Sequence, residues 1–64
     1  MKWNQDDQML LMLYGEKSLS ETIASMKKVR RSLEEDETEL DRMLANVIRK
    51  LQQISEKEYA GMRM

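Results

Sequence analysis

The stretch LDRMLANVIRKLQQI, residues 40–54, has the most regular hydrophobic pattern of the chain. Its apolar residues recur in steps of four, three, four and three, which is the spacing of one face of an α-helix. They are Leu40, Leu44, Val47, Leu51 and Ile54, with Met43 and Ile48 widening the stripe. A stripe of this width is typical of a helix in a bundle. We predict a helix over residues 37–54, with Asp36 and Glu39 capping its start.

A second amphipathic segment precedes this helix. Ser18 and Glu21 have the S-x-x-E spacing of a capping box, in which the serine oxygen accepts a backbone N–H of the first turn. The apolar stripe that follows consists of Leu19, Ile23, Met26, Val29 and Leu33. We predict a helix over residues 19–34. Because the connection around residues 35–37 is short, we expect the two helices to be antiparallel neighbours.

The ends of the chain carry two shorter helical patterns. Asn4 and Asp7 have capping-box spacing before the apolar run MLLMLY, and we predict a helix over residues 5–14 that is buried on most sides. Gly15 follows, where helices often end in the left-handed conformation. Ser55 and Glu58 predict a further helical turn over residues 56–62, from which Tyr59 and Met62 fold back onto the core. The expected fold is an all-α, small antiparallel bundle of three helices plus a short C-terminal fourth helical turn, a single domain over residues 1–64.

The composition lacks the residues that most catalytic and metal-binding sites use. The 64 residues include no cysteine, no histidine, no proline and two glycines, so disulfides are impossible and a zinc site is not expected. No glycine-rich phosphate loop and no nucleophile with a neighbouring base is present. We predict no enzyme activity, no catalytic, cofactor-binding or metal-binding residues and no small-molecule substrate. The longest apolar run has six residues, whereas a membrane span needs about 20. We therefore expect a cytoplasmic protein with no membrane partner.

Within the segment KKVRRSLEEDETELDR, Lys27 to Arg42, the charge of the side chains changes abruptly from positive to negative. Lys27, Lys28 and Arg31 are predicted to share an exposed arc of the second helix, opposite or beside its apolar stripe, and this arc could contact nucleic-acid phosphates. Arg30 lies at the edge of the stripe. Glu34 and Glu35 are one turn beyond the two arginines and are expected to neutralise part of their charge.

The acidic half of the same segment has a structural interpretation. Calcium loops place their ligands around a tight glycine turn, and this run has no glycine. Acids at the amino end of a helix oppose its positive dipole. We interpret the sign change as the turn between the second and third helices, closed by bases and opened by acids. The acids of the run are Glu34, Glu35, Asp36, Glu37, Glu39 and Asp41.

Seven methionines and no phenylalanine are unusual in a chain of this size. Methionine fills irregular gaps in cores and also forms adaptable partner surfaces. Met26 and Met43 lie on the predicted core stripes. Met62 and Met64 near the end are candidates for a partner surface, and Trp3 is expected to cover an edge of the core.

The order of these features resembles a known family. Trp3, the pair Asp6–Asp7 and Tyr14 are followed by ETIASM (21–26), LEEDETEL (33–40) and VIRKLQQISEKEY (47–59). Together they are similar to the putative transposon-transfer assisting protein family, small proteins encoded on conjugative transposons. The resemblance implies a helical accessory protein of a mobile element, and it supplies no activity or functional residues to transfer.

Three classes of function remain open from the sequence. The first is a non-enzymatic accessory protein that contacts a protein partner, or a second copy of itself in a homodimer, through a helix face. The alternative is a small nucleic-acid-binding module that uses Lys27, Lys28 and Arg31. A regulatory peptide or inhibitor is the third class, and sequence alone does not separate it from the first.

Overall fold

The computed structural model describes residues 3–62, and these residues form four helices and no strand. The helices are α1 (Gln5–Tyr14), α2 (Leu19–Arg31), α3 (Thr38–Leu51) and α4 (Glu56–Met62). The predicted all-α class is confirmed. α1 and α4 have the predicted bounds, whereas α2 and α3 each end three residues earlier than the sequence indicates, and α3 begins one residue later.

α3 is the centre of the bundle. It packs most extensively on α2 and also on α1, while α4 lies against α2. The buried core consists of Leu10, Leu19, Met26, Leu44, Val47, Ile48, Leu51 and Tyr59. Half of these side chains belong to α3, in agreement with its regular stripe. Leu40 and Ile54, at the two ends of that stripe, are only partly buried against the core.

The predicted caps of α1, α2 and α4 are present. The Asn4 side-chain oxygen accepts the Asp7 N–H at 2.8 Å, and the Asp7 carboxylate accepts the Asn4 N–H at 3.0 Å, so the α1 capping box is complete. Ser18 Oγ accepts the Glu21 N–H at 3.1 Å at the start of α2. Each cap satisfies a backbone N–H that the helix itself leaves unpaired.

The fourth helix has its cap as well. Ser55 Oγ accepts the Glu58 N–H at 3.2 Å. The predicted return of α4 to the core is also confirmed, because Tyr59 is buried.

The predicted cap of α3 by Asp36 and Glu39 is wrong. The residue at the cap position is Glu37, and its side chain makes no capping hydrogen bond. Its carboxylate accepts the Glu34 N–H at 3.1 Å instead, and its own N–H donates to the Glu34 carbonyl at 3.1 Å. Glu37 therefore stabilises the turn before α3 and not the helix start.

The left-handed conformation expected at Gly15 is also absent, because its φ is −66° and its ψ is 141°. The chain leaves α1 in an extended conformation. The next residue explains this path, since the Glu16 N–H donates to Thr22 Oγ1 at 2.8 Å and the Glu16 carbonyl accepts the Tyr59 hydroxyl at 2.7 Å. Contacts with α2 and α4 thus fix the direction in which the chain leaves the helix.

The expectation that α1 is buried on most sides is wrong. Leu10 is its one buried hydrophobic residue, and Leu11 and Tyr14 are partly buried. Met9, Met12 and Leu13 are 45%, 85% and 63% exposed. α1 packs against α2 and α3, and its second half is a continuous apolar run, so part of that run must remain in water.

None of the helices formed by residues 3–62 is long and apolar enough to cross a membrane.

Candidate functional site

The exposed apolar surface of α1 is the first feature of the molecule that packing does not explain. We define the α1 face as Met9, Met12 and Leu13. These residues have i, i+3 and i+4 spacing, which places their side chains on one side of the helix. Isolated exposed apolar residues are ordinary, but a contiguous group of large ones marks an interaction surface.

A buried ion pair fixes the rotation of α1 that exposes this face. The Asp7 carboxylate is buried and pairs with the Lys50 ammonium in the last turn of α3. Lys50 Nζ also lies 5.7 Å from the centre of the Trp3 ring, within the range of a cation–π interaction. Leu10 enters the core from the same side of α1. With Asp7 and Leu10 turned inward, the α1 face must point outward.

A groove adjoins the α1 face. It has a volume of about 500 Å³ and is lined by Trp3, Gln8, Leu11, Met12 and Met62. We call it the α1–α4 groove, because those helices supply four of its five lining residues. Met12 belongs both to the groove and to the α1 face, so the two form one continuous surface. Grooves of a few hundred Å³ with apolar walls and few polar groups are typical binding sites.

The far wall of this groove is held in place by contacts between α4 and α2. The Glu56 carboxylate accepts the Leu19 N–H at 3.0 Å and the Ser20 N–H at 3.4 Å. A carboxylate at this end of a helix satisfies unpaired amides and opposes the helix dipole. α4, which has seven residues, is thereby tied to the start of α2.

A hydroxyl pair inside the bundle reinforces the same attachment. Tyr59 Oη lies 2.5 Å from Thr22 Oγ1 and donates to the Glu16 carbonyl. Both side chains are buried, and no buried side-chain nitrogen or oxygen in residues 3–62 lacks a hydrogen-bond partner. Satisfied polar groups of this kind stabilise one packing arrangement over others.

The predicted basic arc is a separate surface. Lys27, Lys28 and Arg31 are all exposed on α2. A shallow cleft of about 330 Å³ lies beside them, and its lining includes Lys27, Arg31 and the pair Arg30–Asp41. Asp41 places a negative charge at the edge of the arc, which weakens its attraction for phosphate.

Arg30 has an ion-pair partner that the sequence does not predict. Its Nε donates to the Asp41 carboxylate of α3 at 2.8 Å. The hydrogen bond from Arg30 holds the pKa of Asp41 below its ordinary value of 3.8, and the same bond raises the pKa of Arg30. This pair connects α2 to α3 across the turn between them.

The structure locates one of the two methionines of the partner surface predicted near the C-terminus. Met62 is half-buried and lines the α1–α4 groove. Met64 lies outside the described residues. Within residues 3–62, no group of three acidic side chains is arranged to hold a metal ion.

The α1 face and the contribution of Trp3 to the groove are not predicted by the sequence. The helical spacing of Met9, Met12 and Leu13 is visible in the sequence. However, Leu10, Leu11 and Tyr14 occupy the opposite side of the helix, so the run has no polar side that would show which face is outside.

These features define a small helical protein with a continuous apolar surface on one side and a partly neutralised basic arc elsewhere. A family model described as "Putative transposon-transfer assisting protein" matches residues 4–64, and the chain belongs to this family. The description associates the family with an assisting role in transposon transfer. No curated protein and no solved structure matches the chain.

Proposed function

We propose that this chain is a non-enzymatic accessory protein of a conjugative mobile element that acts in the cytoplasm by binding a partner protein. The family description supports the association with transposon transfer. The α1 face and the α1–α4 groove support the mode of action. The observation that carries the proposal is the 85% exposure of Met12, at the junction of these two surfaces.

The energetics favour occupation of this surface. Full burial of a methionine or leucine side chain is worth roughly 1.5–3 kcal/mol relative to exposure. Met9, Met12 and Leu13 forgo much of this stabilisation in the isolated chain. Methionine side chains also adapt their shape to different apolar ligands. A partner that covers the α1 face recovers this free energy.

We identify the occupant as an amphipathic helix of the partner protein, on grounds of size and charge. The α1 face and the α1–α4 groove together comprise seven residues, whereas each side of a standard stable interface contributes about 20–30 residues. The surface is therefore small for an obligate homodimer and suits a single helix laid into a groove. α1 contains acids but no bases, and Asp6 is exposed. We expect Lys or Arg beside the apolar stripe of the partner helix.

The transfer frequency of the element tests the proposal. Met12→Glu places a charge in the apolar surface, and we expect it to lower transfer by about tenfold or more, because each 1.4 kcal/mol of lost binding free energy is a factor of ten. Met12→Leu keeps the surface apolar and is expected to retain transfer. Ala24→Glu adds the same charge at an exposed position of α2 outside both candidate surfaces, and it is the control for surface charge. Normal transfer by Met12→Glu at normal protein level would contradict the proposal.

Nucleic-acid binding is the second candidate, favoured by the exposure of Lys27, Lys28 and Arg31. It predicts duplex or single-strand affinity that falls steeply with salt. It also predicts that reversing all three charges abolishes transfer while Met12→Glu does not. The two candidates thus give opposite results with the same set of variants.

A further inference from the structure

Methionine is the residue type of this chain that oxidants can modify at a sulfur atom. The chain has seven methionines and no cysteine, so thiol chemistry is absent. Met12 and Met9 have large exposed fractions on the α1 face, whereas Met26 is fully buried in the core. Oxidation of methionine follows the access of the oxidant to the sulfur. The structure therefore separates the methionines into reactive and protected positions.

We propose that Met12 and Met9 form a reversible oxidation site that switches the α1 face between an apolar, binding-competent form and a polar form. This inference rests on the proposed function, since it assumes that the α1 face binds a partner. The two sulfurs are three residues apart on one side of one helix. Each oxidation therefore adds a polar group to the same surface.

The reaction requires only a peroxide. The thioether sulfur attacks the terminal oxygen of hydrogen peroxide, the O–O bond breaks, and a proton shift releases water. The sulfur gives up two electrons and becomes a sulfoxide, and the peroxide is reduced. Methionine sulfoxide reductases return both epimers of the sulfoxide to the thioether, so the change is reversible.

Because Met9 and Met12 lie on the surface, their oxidation is expected to change partner binding without changing the stability of the fold. A sulfoxide turns a flexible apolar side chain into a polar one, which weakens apolar contacts. On the α1 face the sulfoxide is exposed to solvent and does not contact the core, so the bundle remains folded. Met26 reacts only when the fold opens, since its side chain is inaccessible in the native state.

Leucine and glutamine provide matched variants for the test. Both have helix propensities close to that of methionine, so substitution should not disturb α1. Met9→Leu/Met12→Leu keeps the face apolar and removes the reactive sulfurs. Met9→Gln/Met12→Gln keeps the length of the side chains and makes the face polar, as oxidation does.

The chemical part of the test treats the full chain with hydrogen peroxide and follows each methionine by peptide mass spectrometry. Among the methionines of residues 3–62, we expect Met12 to oxidise fastest, Met9 next, and Met26 more than about tenfold more slowly than Met12, because its reaction requires opening of the fold. Circular dichroism should show the helix content retained when Met12 is fully converted. Equal rates at Met12 and Met26 would overturn the assignment of the site.

The functional part measures transfer of the element in a host that lacks methionine sulfoxide reductases, with and without sublethal peroxide. A wild-type copy should lose transfer under peroxide, and the double leucine variant should keep it. The double glutamine variant should be impaired without peroxide. If Met12→Glu lowers transfer but the glutamine variant and peroxide do not, the oxidation switch is wrong and the proposed function stands. If Met12→Glu has no effect, the proposed function itself fails, and the switch fails with it.

Discussion

The Tyr59 hydroxyl lies 2.5 Å from the Thr22 hydroxyl and joins α4 to α2 in the interior of the bundle. It also donates to the Glu16 carbonyl at 2.7 Å, so one side chain connects the last helix, the second helix and the link that follows α1. Tyr59 is 37 residues from Thr22 and 43 residues from Glu16 in the sequence. A short C-terminal helix is thereby made part of the core.

We expect Tyr59→Phe to lower the free energy of unfolding by about 1–3 kcal/mol, because it removes two hydrogen bonds that are each worth roughly 0.5–1.5 kcal/mol. Urea denaturation followed by circular dichroism measures the change. Tyr14→Phe, at the half-buried tyrosine of α1, is the matched control and should change stability by less than about 0.5 kcal/mol. Equal effects at the two tyrosines would show that the Tyr59 hydroxyl contributes no specific stabilisation.

Asp7→Asn should destabilise the fold by about 2–3 kcal/mol, at the low end of the cost of breaking a buried ion pair because Lys50 is partly solvent-accessible. The substitution preserves side-chain size, so the loss reports the missing charge. Asp6→Asn, one residue earlier and exposed, loses only its interaction with the helix dipole, and about 0.5 kcal/mol is expected. Thermal or urea unfolding distinguishes the two, and a larger effect at Asp6 would contradict the assigned ion pair.

The Arg30–Asp41 pair makes a specific prediction about pH. Because the pKa of Asp41 is lower in the folded state than in the unfolded state, the stability it contributes is complete above the unfolded carboxyl value. That contribution is lost as the pH falls through the lower, folded pKa. The raised pKa of Arg30 acts in the other direction, and its contribution is lost only in strongly alkaline solution.

An NMR titration of the Asp41 side chain provides the measurement. Its midpoint should lie below 3.8 in the wild-type chain and return towards that ordinary value in Arg30→Gln. Lys27→Gln removes a charge from the same cleft without removing the hydrogen bond and should leave the midpoint low. An identical midpoint in wild type and Arg30→Gln would mean that the pair does not persist in solution.

Substitutions on the two sides of α1 are expected to have different effects on the free energy of unfolding. Met12→Glu should change the free energy of unfolding by less than about 0.5 kcal/mol, because the side chain is in water in the isolated chain. Leu10→Ala, two residues away, should cost about 2–5 kcal/mol, because it opens a cavity in the core. If Met12→Glu destabilised the monomer as much as Leu10→Ala does, Met12 would belong to the core and not to an exposed surface.

The parts of the fold that the sequence predicts are those with local causes. The α3 stripe identifies Leu44, Val47 and Leu51 as core residues because polar residues mark the opposite side of the helix. The caps at Asn4 and Ser18 require only residues within one turn. Such short-range patterns are sufficient to define an all-α fold.

The parts that the sequence did not predict depend on contacts between distant segments. A continuous apolar run has no polar side, so the exposure of Met12 follows only from where α2 and α3 contact α1. The capping of α2 by Glu56 joins residues 37 positions apart. Thr22 is a polar residue that is buried because Tyr59 reaches it. Of the candidate site, the exposed basic arc was predictable, and the α1–α4 groove was not.

The Asp7 carboxylate has two roles that are made or lost together. It completes the capping box of α1 with Asn4, and it receives the Lys50 ammonium from α3. An isolated helix of ten residues is marginal in water. The start of α1 therefore depends on a residue that another helix holds in place, which couples local helix formation to global folding. We expect the hydrogen-bonded amides of α1, from Asp7 onwards, to exchange with solvent at rates set by unfolding of the whole bundle, and not by fraying of the first turn.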